Sequence, residues 1–328
     1  MPRVVRIHET GGPEVLRVEE DSTREPGPGE ALVRQRAIGV NFIDTYHRSG
    51  LYPLRKLPSG IGVEAAGVVL RVGPGVTDVA PGQRVAYAAG PPGSYADERV
   101  IAAERLVPLP EGIDDETAAA VLLKGMTAEA LIRRVYPVRS GQRVVLHAAA
   151  GGFGLLACQW LAHLGASVIA TVGSDEKAAL AREHGAAHVI VSTREDFVAR
   201  VRELTDGRGV PVVYDSVGKA TLAGSLDCLE RRGTLVLFGN ASGQPEPLDL
   251  QLLATKGSLS VTRPVVFDYV ATREELLASA REVFERVREG TLRVRIGQRF
   301  ELAEAAAAHR ALESRRTTGS TVLQVRGD

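Results

Sequence analysis

A run of small residues lies where an apolar strand-like segment gives way to a helix. Residues 144–147 predict a buried strand, and residues 155–164 have the periodicity of a helix. Between them stands the pattern Ala148-x-x-Gly151-x-x-Gly154. Small residues let an anionic group approach bare backbone N–H groups at a helix N-terminus, where the helix dipole favours negative charge. The turn is therefore predicted to bind the pyrophosphate of a dinucleotide.

The segments around this turn decide between a ligand site and a packing feature. Glycine-rich turns between a strand and a helix also occur for packing reasons alone. Here Gly165 closes the helix and residues 166–172 predict a second strand, which completes a βαβ unit. Alanine at position 148 replaces the first glycine of the best-known fingerprint. We interpret the whole unit as a dinucleotide-binding fold.

The residues after the second strand indicate which dinucleotide binds. Enzymes that prefer NAD usually place an acidic residue there, against the ribose 2′-hydroxyl, whereas this chain has Gly173. Glycine leaves room for a 2′-phosphate, Ser174 can donate a hydrogen bond, and Lys177 carries a positive charge. NADP(H) is the predicted cofactor. The alternative is that Asp175 and Glu176 are first-turn acids suited to the helix dipole and that Lys177 is an ordinary solvated side chain.

Composition narrows the class of protein. The 328 residues suffice for two domains, and 40 basic residues balance 40 acidic ones, so nothing favours binding to nucleic acid or an anionic membrane. No segment approaches the roughly 20 apolar residues of a membrane span, and the N-terminus has no signal-peptide pattern, which predicts a soluble cytoplasmic protein. Cys158 and Cys228 lie in apolar helical patterns and are predicted to be core thiols. Asn41 and Asn240 are the only asparagines, so a specific task is expected of them.

The elements that position the turn fall into two kinds. Residues 1–120 alternate short apolar runs with Gly/Pro turns, which predicts a mainly β, barrel-like domain. A helix capped by Asp114 or Asp115 and reaching residue 135 is predicted to connect the domains. From about 139 to 262, strands and helices alternate, which predicts a doubly wound parallel sheet with its ligand at the carboxyl ends of the strands. Residues 220–231 are predicted to be helical, residues 258–262 to form the last strand of that sheet, and residues 320–325 to form a strand that returns to the first domain.

Several motifs resemble one known superfamily over essentially the whole chain. Residues 62–69, Gly-Val-Glu-Ala-Ala-Gly-Val-Val, resemble the barrel signature of the medium-chain dehydrogenase/reductase superfamily. Its quinone oxidoreductase (zeta-crystallin) branch is matched closely by residues 41–46, 148–154, 215–218, 238–240 and 261–264. The resemblance implies an α/β chain with a GroES-like β-rich catalytic domain, residues 1–124 and 265–328. It also implies a Rossmann domain with a doubly wound parallel sheet that binds NADP(H), residues 125–264.

The zinc alcohol dehydrogenases of the superfamily differ at their metal ligands. They hold a catalytic zinc with a Cys in the barrel, the His of a Gly-His-Glu motif and a Cys on the linking helix. Here Asn41 stands near the first, Val63 replaces the His, and residues 122–125 contain no Cys. The four-cysteine structural lobe is also missing. Because zinc needs several N, S or O ligands held together, the chain is predicted to have no metal site.

The resemblance also implies an activity. Without a Lewis acid the substrate must accept hydride with little activation, and a quinone does so because its reduction yields an aromatic ring. We therefore expect NADPH-dependent reduction of a quinone lodged between the domains, with the protein supplying orientation and a dry cleft. The alternatives are an NADPH-dependent reductase of enals or enones, and a non-enzymatic, crystallin-like protein that binds NADPH or RNA. The neutral charge argues against RNA. A homodimer paired through residues 258–261 is expected, with a tetramer as the alternative.

The resemblance assigns roles residue by residue. The pyrophosphate is expected on Ala150, Gly151, Gly152 and Phe153, and the 2′-phosphate on Gly173, Ser174, Lys177 and Arg315. The nicotinamide half is expected along Phe238, Gly239, Asn240, Val261, Thr262 and Arg263, faced by Asn41, Asp44, Tyr46 and Thr127. Ser192 stands near the adenine ribose, where relatives carry Tyr or His.

The candidate catalytic residues are Asn41, Asp44, Tyr46 and Tyr52. The two tyrosines are predicted to hydrogen-bond to quinone oxygen. The alternatives are that either tyrosine is a packed aromatic and that Asp44 is a structural loop cap.

Overall fold

The chain folds into two compact units in a computed structural model that describes residues 1–325. The first unit contains Met1–Lys124, Val270–Arg288 and the chain from Val294 onward. The second unit contains Gly125–Tyr269 and Glu289–Arg293.

Strands occur in both units of the described chain. In chain order they are β1 (Arg3–Ile7), β2 (Arg17–Glu20), β3 (Glu30–Val40), β4 (Ser59–Gly60), β5 (Glu64–Val72), β6 (Arg84–Ala88), β7 (Glu98–Ala102), β8 (Val107–Pro108), β9 (Arg143–Leu146), β10 (Ser167–Val172), β11 (Ala186–Val191), β12 (Val210–Asp215), β13 (Leu229–Leu237), β14 (Ser260–Thr262), β15 (Ile296–Glu301) and β16 (Ser320–Gln324).

The helices lie mostly in the second half of the chain. They are α1 (Phe42–Ser49), α2 (Asp115–Glu129), α3 (Gly152–His163), α4 (Asp175–Glu183), α5 (Phe197–Leu204), α6 (Leu222–Asp227), α7 (Leu250–Thr255), α8 (Val266–Tyr269), α9 (Arg273–Arg288) and α10 (Ala305–Glu313). A π-helix, Ala130–Val135, follows α2, and short 3₁₀ turns lie at Pro13–Val15, Ala103–Arg105 and Leu302–Glu304.

The first unit is built on a mostly antiparallel sheet. Its order is β15-β16-β3-β5-β6-β8, β7 also pairs with β3, and β2-β1-β4 form a second small sheet. Strand β16 pairs antiparallel with β3, so the prediction that the end of the chain returns to the first domain is confirmed. The core contains fully buried Tyr87 and Tyr95 with aliphatic residues from β1, β3 and β5. This β-rich unit is the expected GroES-like domain.

The second unit has a six-stranded sheet of order β11-β10-β9-β12-β13-β14. All five neighbouring pairs are parallel. This is the doubly wound order, in which the direction of winding reverses between β9 and β12 and opens a crevice at the carboxyl ends of the strands. The predicted Rossmann sheet is confirmed. Strand β14 lies at its edge, and the predicted homodimer stays a prediction.

Two predicted boundaries in this unit are wrong for local reasons. The helix predicted over residues 220–231 ends at Asp227, because Leu229 already pairs with Val210 in the sheet and is buried. The last strand begins at Ser260, because Ser258 has a φ of +58°, which no extended strand accommodates.

The cysteines and the helices bear on two further predictions. Cys158 and Cys228 are both buried free thiols, as predicted, and burial raises the pKa of each to about 12. Within residues 1–325, no helix combines the length and apolarity needed to cross a membrane.

Candidate functional site

The nucleotide turn leads from β9 into α3. Gly151 is the N-cap of α3 with extended backbone, so the first N–H groups of the helix lie at the turn. A Cβ on Gly154 would lie 2.4 Å from the carbonyl oxygen of Ala148, so only glycine fits there. Ala148 itself has a φ of +53°, a left-handed conformation that costs an alanine about 1 kcal/mol. Close packing thus holds bare backbone at the helix N-terminus.

The segments predicted for the nicotinamide half come together at the ends of β13 and β14. The rings of Phe153 and Phe238 pack with centroids 4.6 Å apart. Nη1 of Arg263 donates to the carbonyl oxygens of Leu237 and Gly239, each at 3.1 Å. These contacts join the first turn of α3, the end of β13 and the segment after β14. Asn240, Val261 and Thr262 lie in the same segments.

The residues predicted for the 2′-phosphate lie after β10. A Cβ on Gly173 would meet no atom within 4 Å, so this position is open. Ser174 caps α4, and its Oγ accepts from the backbone N–H of Lys177 at 3.3 Å while keeping its own proton to donate. Burial lowers the pKa of the half-buried Lys177 ammonium. Ser192 donates to the carbonyl oxygen of Val172 at 3.1 Å, which brings it beside the Gly173 turn.

A buried polar chain supports these turns from within the sheet. Nδ1 of His147 lies 2.8 Å from Oγ1 of Thr171, and its Nε2 lies 3.0 Å from Oγ of Ser225. Ser225 donates to Oδ2 of Asp215 at 2.7 Å, so the neutral imidazole carries its proton on Nε2. Burial lowers the pKa of His147, which keeps it neutral.

Asp215 anchors the loop that follows β12. Its Oδ1 accepts from the N–H groups of Val217 and Gly218, at 2.8 and 3.0 Å, and Oγ1 of Thr221 donates to the same carboxylate. The sequence interpretation missed this network, although a polar His147 inside an apolar strand was its visible signal.

In the first unit, Asn41 and two neighbouring groups donate hydrogen bonds to the buried carboxylate of Glu64. Glu64 is fully buried, and its Oε1 accepts from the backbone N–H of Leu123 at 2.7 Å. Its Oε2 accepts from Nδ2 of Asn41 at 2.8 Å and from Nζ of Lys124 at 3.4 Å. We call Asn41, Glu64 and Lys124 the Glu64 cluster. Glu64 and Lys124 were not predicted as site residues.

Asp44 lies at the start of α1, fully buried. Its Oδ2 accepts from the backbone N–H of Asn41 at 2.8 Å and from Oη of Tyr95 at 3.0 Å. Burial raises its pKa to about 7. Among residues 1–325, Oδ1 of Asp44 has no hydrogen-bond partner. The geometry gives Asp44 the helix-capping task that was the structural alternative, and its catalytic role stays a prediction.

A second polar chain continues from Asp44 to helix α10. Nε2 of His309 lies 3.0 Å from Oη of Tyr95, and Nδ1 lies 3.2 Å from Nη1 of Arg48. Because a guanidinium only donates, Nδ1 of His309 accepts a hydrogen bond from Arg48. Nε2 therefore carries the proton of the neutral ring and donates a hydrogen bond to Oη of Tyr95. Burial together with the Arg48 charge lowers the pKa of His309 to about 3. Arg48 in turn forms a bidentate pair with Glu313.

The two candidate tyrosines pack against each other. The ring centroids of Tyr46 and Tyr52 lie 5.1 Å apart at 65°, an edge-to-face arrangement. The backbone N–H of Tyr52 donates to the carbonyl oxygen of Tyr46 at 3.0 Å. The two rings therefore form one aromatic pair close to Asn41 in sequence, with Tyr46 buried and Tyr52 half-buried, and a role in holding substrate stays a prediction.

Two predicted residues remain, one in each unit. Thr127 is half-buried on α2, and Arg315 is exposed after α10 with a φ of +58°. Across residues 1–325, no group of three or more His, Cys, Asp or Glu side chains is arranged to hold a metal ion.

Comparisons with known proteins identify the family. Residues 27–111 match the alcohol dehydrogenase GroES-like domain, and residues 152–281 match the zinc-binding dehydrogenase family. The chain is 55% identical to a quinone oxidoreductase of Pseudomonas aeruginosa, over 98% of this chain and 99% of that protein. It is 46% identical to a 2-haloacrylate reductase of a Burkholderia species, over 97% of each.

A solved structure agrees with these matches. The crystal structure of an Escherichia coli quinone oxidoreductase complexed with NADPH has a TM-score of 0.97 to this chain at 47% identity, covering 99% of this chain and 100% of that one. The chain is an oxidoreductase that belongs to the quinone oxidoreductase branch of the medium-chain dehydrogenase/reductase superfamily.

Proposed function

We propose that this chain reduces quinones with NADPH as the source of reducing equivalents. The observation that carries the proposal is the pairing of the small-residue turn at α3 with an open position at Gly173. The quinone oxidoreductase of Pseudomonas aeruginosa and the Escherichia coli enzyme complexed with NADPH, both similar over nearly the full chain, support it.

The residues of the second unit fit NADPH. Backbone N–H groups of Gly151 and Gly152 at the N-terminus of α3 would hold the pyrophosphate, since the helix dipole favours its charge. The open space at Gly173, the hydroxyl of Ser174 and the ammonium of Lys177 would hold the 2′-phosphate. When bound, NADPH supplies a hydride from C4 of its nicotinamide.

The first unit would bind the quinone. The edge-to-face pair of Tyr46 and Tyr52 offers an apolar face with two hydroxyl groups, which suits a flat ring that carries oxygens. Asn41 would contribute its amide beside them, held in place by Glu64. Asp44 fixes the backbone of Asn41 and so positions this surface.

A second candidate is reduction of an activated alkene. The 46% identity to a 2-haloacrylate reductase favours it, because an acrylate also accepts hydride, at a carbon conjugated with its electron-withdrawing group. Both reactions use the same cofactor site and differ only in the acceptor.

Steady-state NADPH oxidation at 340 nm distinguishes the candidates. The enzyme is assayed with ortho-quinones, para-quinones, one simple enone and 2-chloroacrylate, with NADH in parallel and with a chelator control. We expect turnover with quinones that prefers NADPH and is indifferent to the chelator. Turnover with the enone or 2-chloroacrylate alone would favour the second candidate, and tight NADPH binding without any turnover would contradict both.

A further inference from the structure

The Glu64 cluster contains a lysine that neither the predicted site nor the proposed function uses. We propose that Lys124 is a catalytic residue whose ammonium group donates the proton taken up by the substrate oxygen during reduction. The inference rests on the proposed function and deepens it, because it names the source of the second hydrogen of the hydroquinone.

The geometry places the ammonium beside a predicted substrate contact. Nζ of Lys124 and Nδ2 of Asn41 contact the same atom, Oε2 of Glu64, at 3.4 and 2.8 Å. An ammonium has three donor positions, and this long contact with Glu64 occupies one of them at most. Lys124 can therefore donate to a further oxygen next to Asn41. Its side chain keeps 12% of its surface accessible, whereas that of Glu64 is fully buried.

The residue type is informative in this chain. Only five of the 40 basic residues are lysines, so a buried cation is by default an arginine, as at Arg48, which is 3% exposed and pairs with Glu313. A guanidinium stays protonated at any physiological pH, whereas an ammonium can release its proton. The paired lysines of the second unit, Lys219 and Lys256, leave 57% and 31% of their side chains exposed. Lys124, at 12%, is less exposed than either of them, and a proton-donating role explains a lysine there.

The location supports the same role. Asn41, Val63 and residues 122–125 are the positions where the zinc enzymes of the superfamily carry their catalytic ligands. In this chain two of those segments meet on Glu64, which follows Val63, and the positive charge among them is that of Lys124. The ammonium would stabilise negative charge developing on the substrate oxygen, and then neutralise it by giving up a proton.

The reaction balances with NADPH, the quinone and one proton that solvent returns to the enzyme. A hydride from bound NADPH would bring the quinone two electrons and leave NADP⁺. The reduced quinone takes the proton from Nζ of Lys124, so that an O–H bond forms as an N–H bond breaks. The products are the hydroquinone and a neutral Lys124 amine, which recovers its proton from water.

The test compares Lys124→Ala with the control Lys256→Ala, a lysine that pairs with Asp227 in the second unit. We expect kcat with quinone to fall about 100-fold for Lys124→Ala, the usual size of a general-acid effect, and to stay native for the control. The dissociation constant of NADPH should be unchanged in both. Added primary amines should rescue Lys124→Ala, with a rate that rises as the acidity of the ammonium rises, because a packing role would show no such dependence.

A second variant guards against a folding defect. Glu64→Gln combined with Lys124→Ala leaves no buried carboxylate without its cation and should show the same loss and the same rescue. Native kcat in a folded Lys124→Ala variant, or rescue independent of amine acidity, would overturn the role of Lys124 while leaving the proposed function intact. If native enzyme turns over no quinone but reduces the enone, the same comparison is made on the enone. Native enzyme without any turnover would overturn the proposed function and this role with it.

Discussion

The nucleotide turn of the second unit and the polar residues around Asn41 in the first unit are built on opposite principles. The turn works by the absence of side chains, since Gly154 packs against the carbonyl oxygen of Ala148 and Gly173 leaves open space. The surroundings of Asn41 depend on two buried carboxyl groups, those of Asp44 and Glu64. The first region is therefore sensitive to added volume and the second to altered charge. A larger side chain tests the turn, and a neutral isostere tests the surroundings of Asn41.

The largest expected effect comes from volume at the nucleotide turn. Gly154→Ala would place a Cβ 2.4 Å from Ala148 O and 2.6 Å from the Ala149 carbonyl carbon, both backbone atoms that cannot move aside cheaply. We expect the free energy of unfolding to fall by about 3 kcal/mol in urea denaturation. Gly173→Ala is the matched control and should unfold like the native enzyme, because its Cβ meets nothing within 4 Å. Equal stability of the two variants would refute the packing role of Gly154.

The next effect comes from the charge of Asp44. Burial raises the pKa of this carboxyl group from its usual 3.8 to about 7. Between these values the folded state holds a proton that the unfolded state has lost, so the stability of the native enzyme falls as pH rises from about 4 to 7. Asp44→Asn removes this dependence. Urea denaturation at pH 5 and pH 8 measures the free energy of unfolding of both proteins. From pH 5 to pH 8 this free energy should rise by about 2 kcal/mol in the variant relative to the native enzyme.

The groups around Asp44 set the size of that effect and its control. The backbone N–H of Asn41, Oη of Tyr95 and the charge of Lys124 lower its pKa, and the charge of Glu64 raises it further. Asp206→Asn, at a position 77% exposed, should show no such pH dependence. An Asp44→Asn variant that tracks native stability at both pH values would show that Asp44 is ionised throughout.

The smallest effect is expected at Lys177, where one charge contact with the cofactor is removed. Lys177→Ala should raise the KM for NADPH about tenfold, since a hydrogen bond to a charged group contributes about 1.5 kcal/mol, and should leave the KM for NADH nearly unchanged. Lys219→Ala, an exposed lysine paired with Glu246, is the control. A similar change for both cofactors would remove the assigned contact with the 2′-phosphate.

The nucleotide turn could be predicted from the sequence because the residues that define it lie close together in the chain. Ala148, Gly151 and Gly154 lie within one turn between a strand and a helix. Their spacing shows that small residues are needed there, so that the backbone N–H groups stay accessible. The alternation of strands and helices then predicted the parallel sheet whose order the structure confirms. Boundaries such as Asp227 were missed, because pairing of Leu229 with Val210 overrides the helical pattern that leads up to it.

The surroundings of Asn41 could not be predicted in the same way. Asp44 reaches His309 through Tyr95, and these three residues are separated by 51 and 214 positions in the chain. Only the capping spacing of Asn41 and Asp44 was visible, and it would have predicted the short helix α1 that was missed. The scarcity of lysine was a second signal, which gains meaning only when the structure places Lys124 on Glu64.

Titration calorimetry of the native enzyme with NADPH and with NADH tests the central claim most directly, namely that the segment from Gly173 to Lys177 binds a 2′-phosphate. The account predicts tighter binding of NADPH, and a reversed preference in Gly173→Asp, whose carboxylate would repel the phosphate and accept from the 2′-hydroxyl of NADH. Equal affinities for the two cofactors in the native enzyme, unchanged by Gly173→Asp, would contradict it.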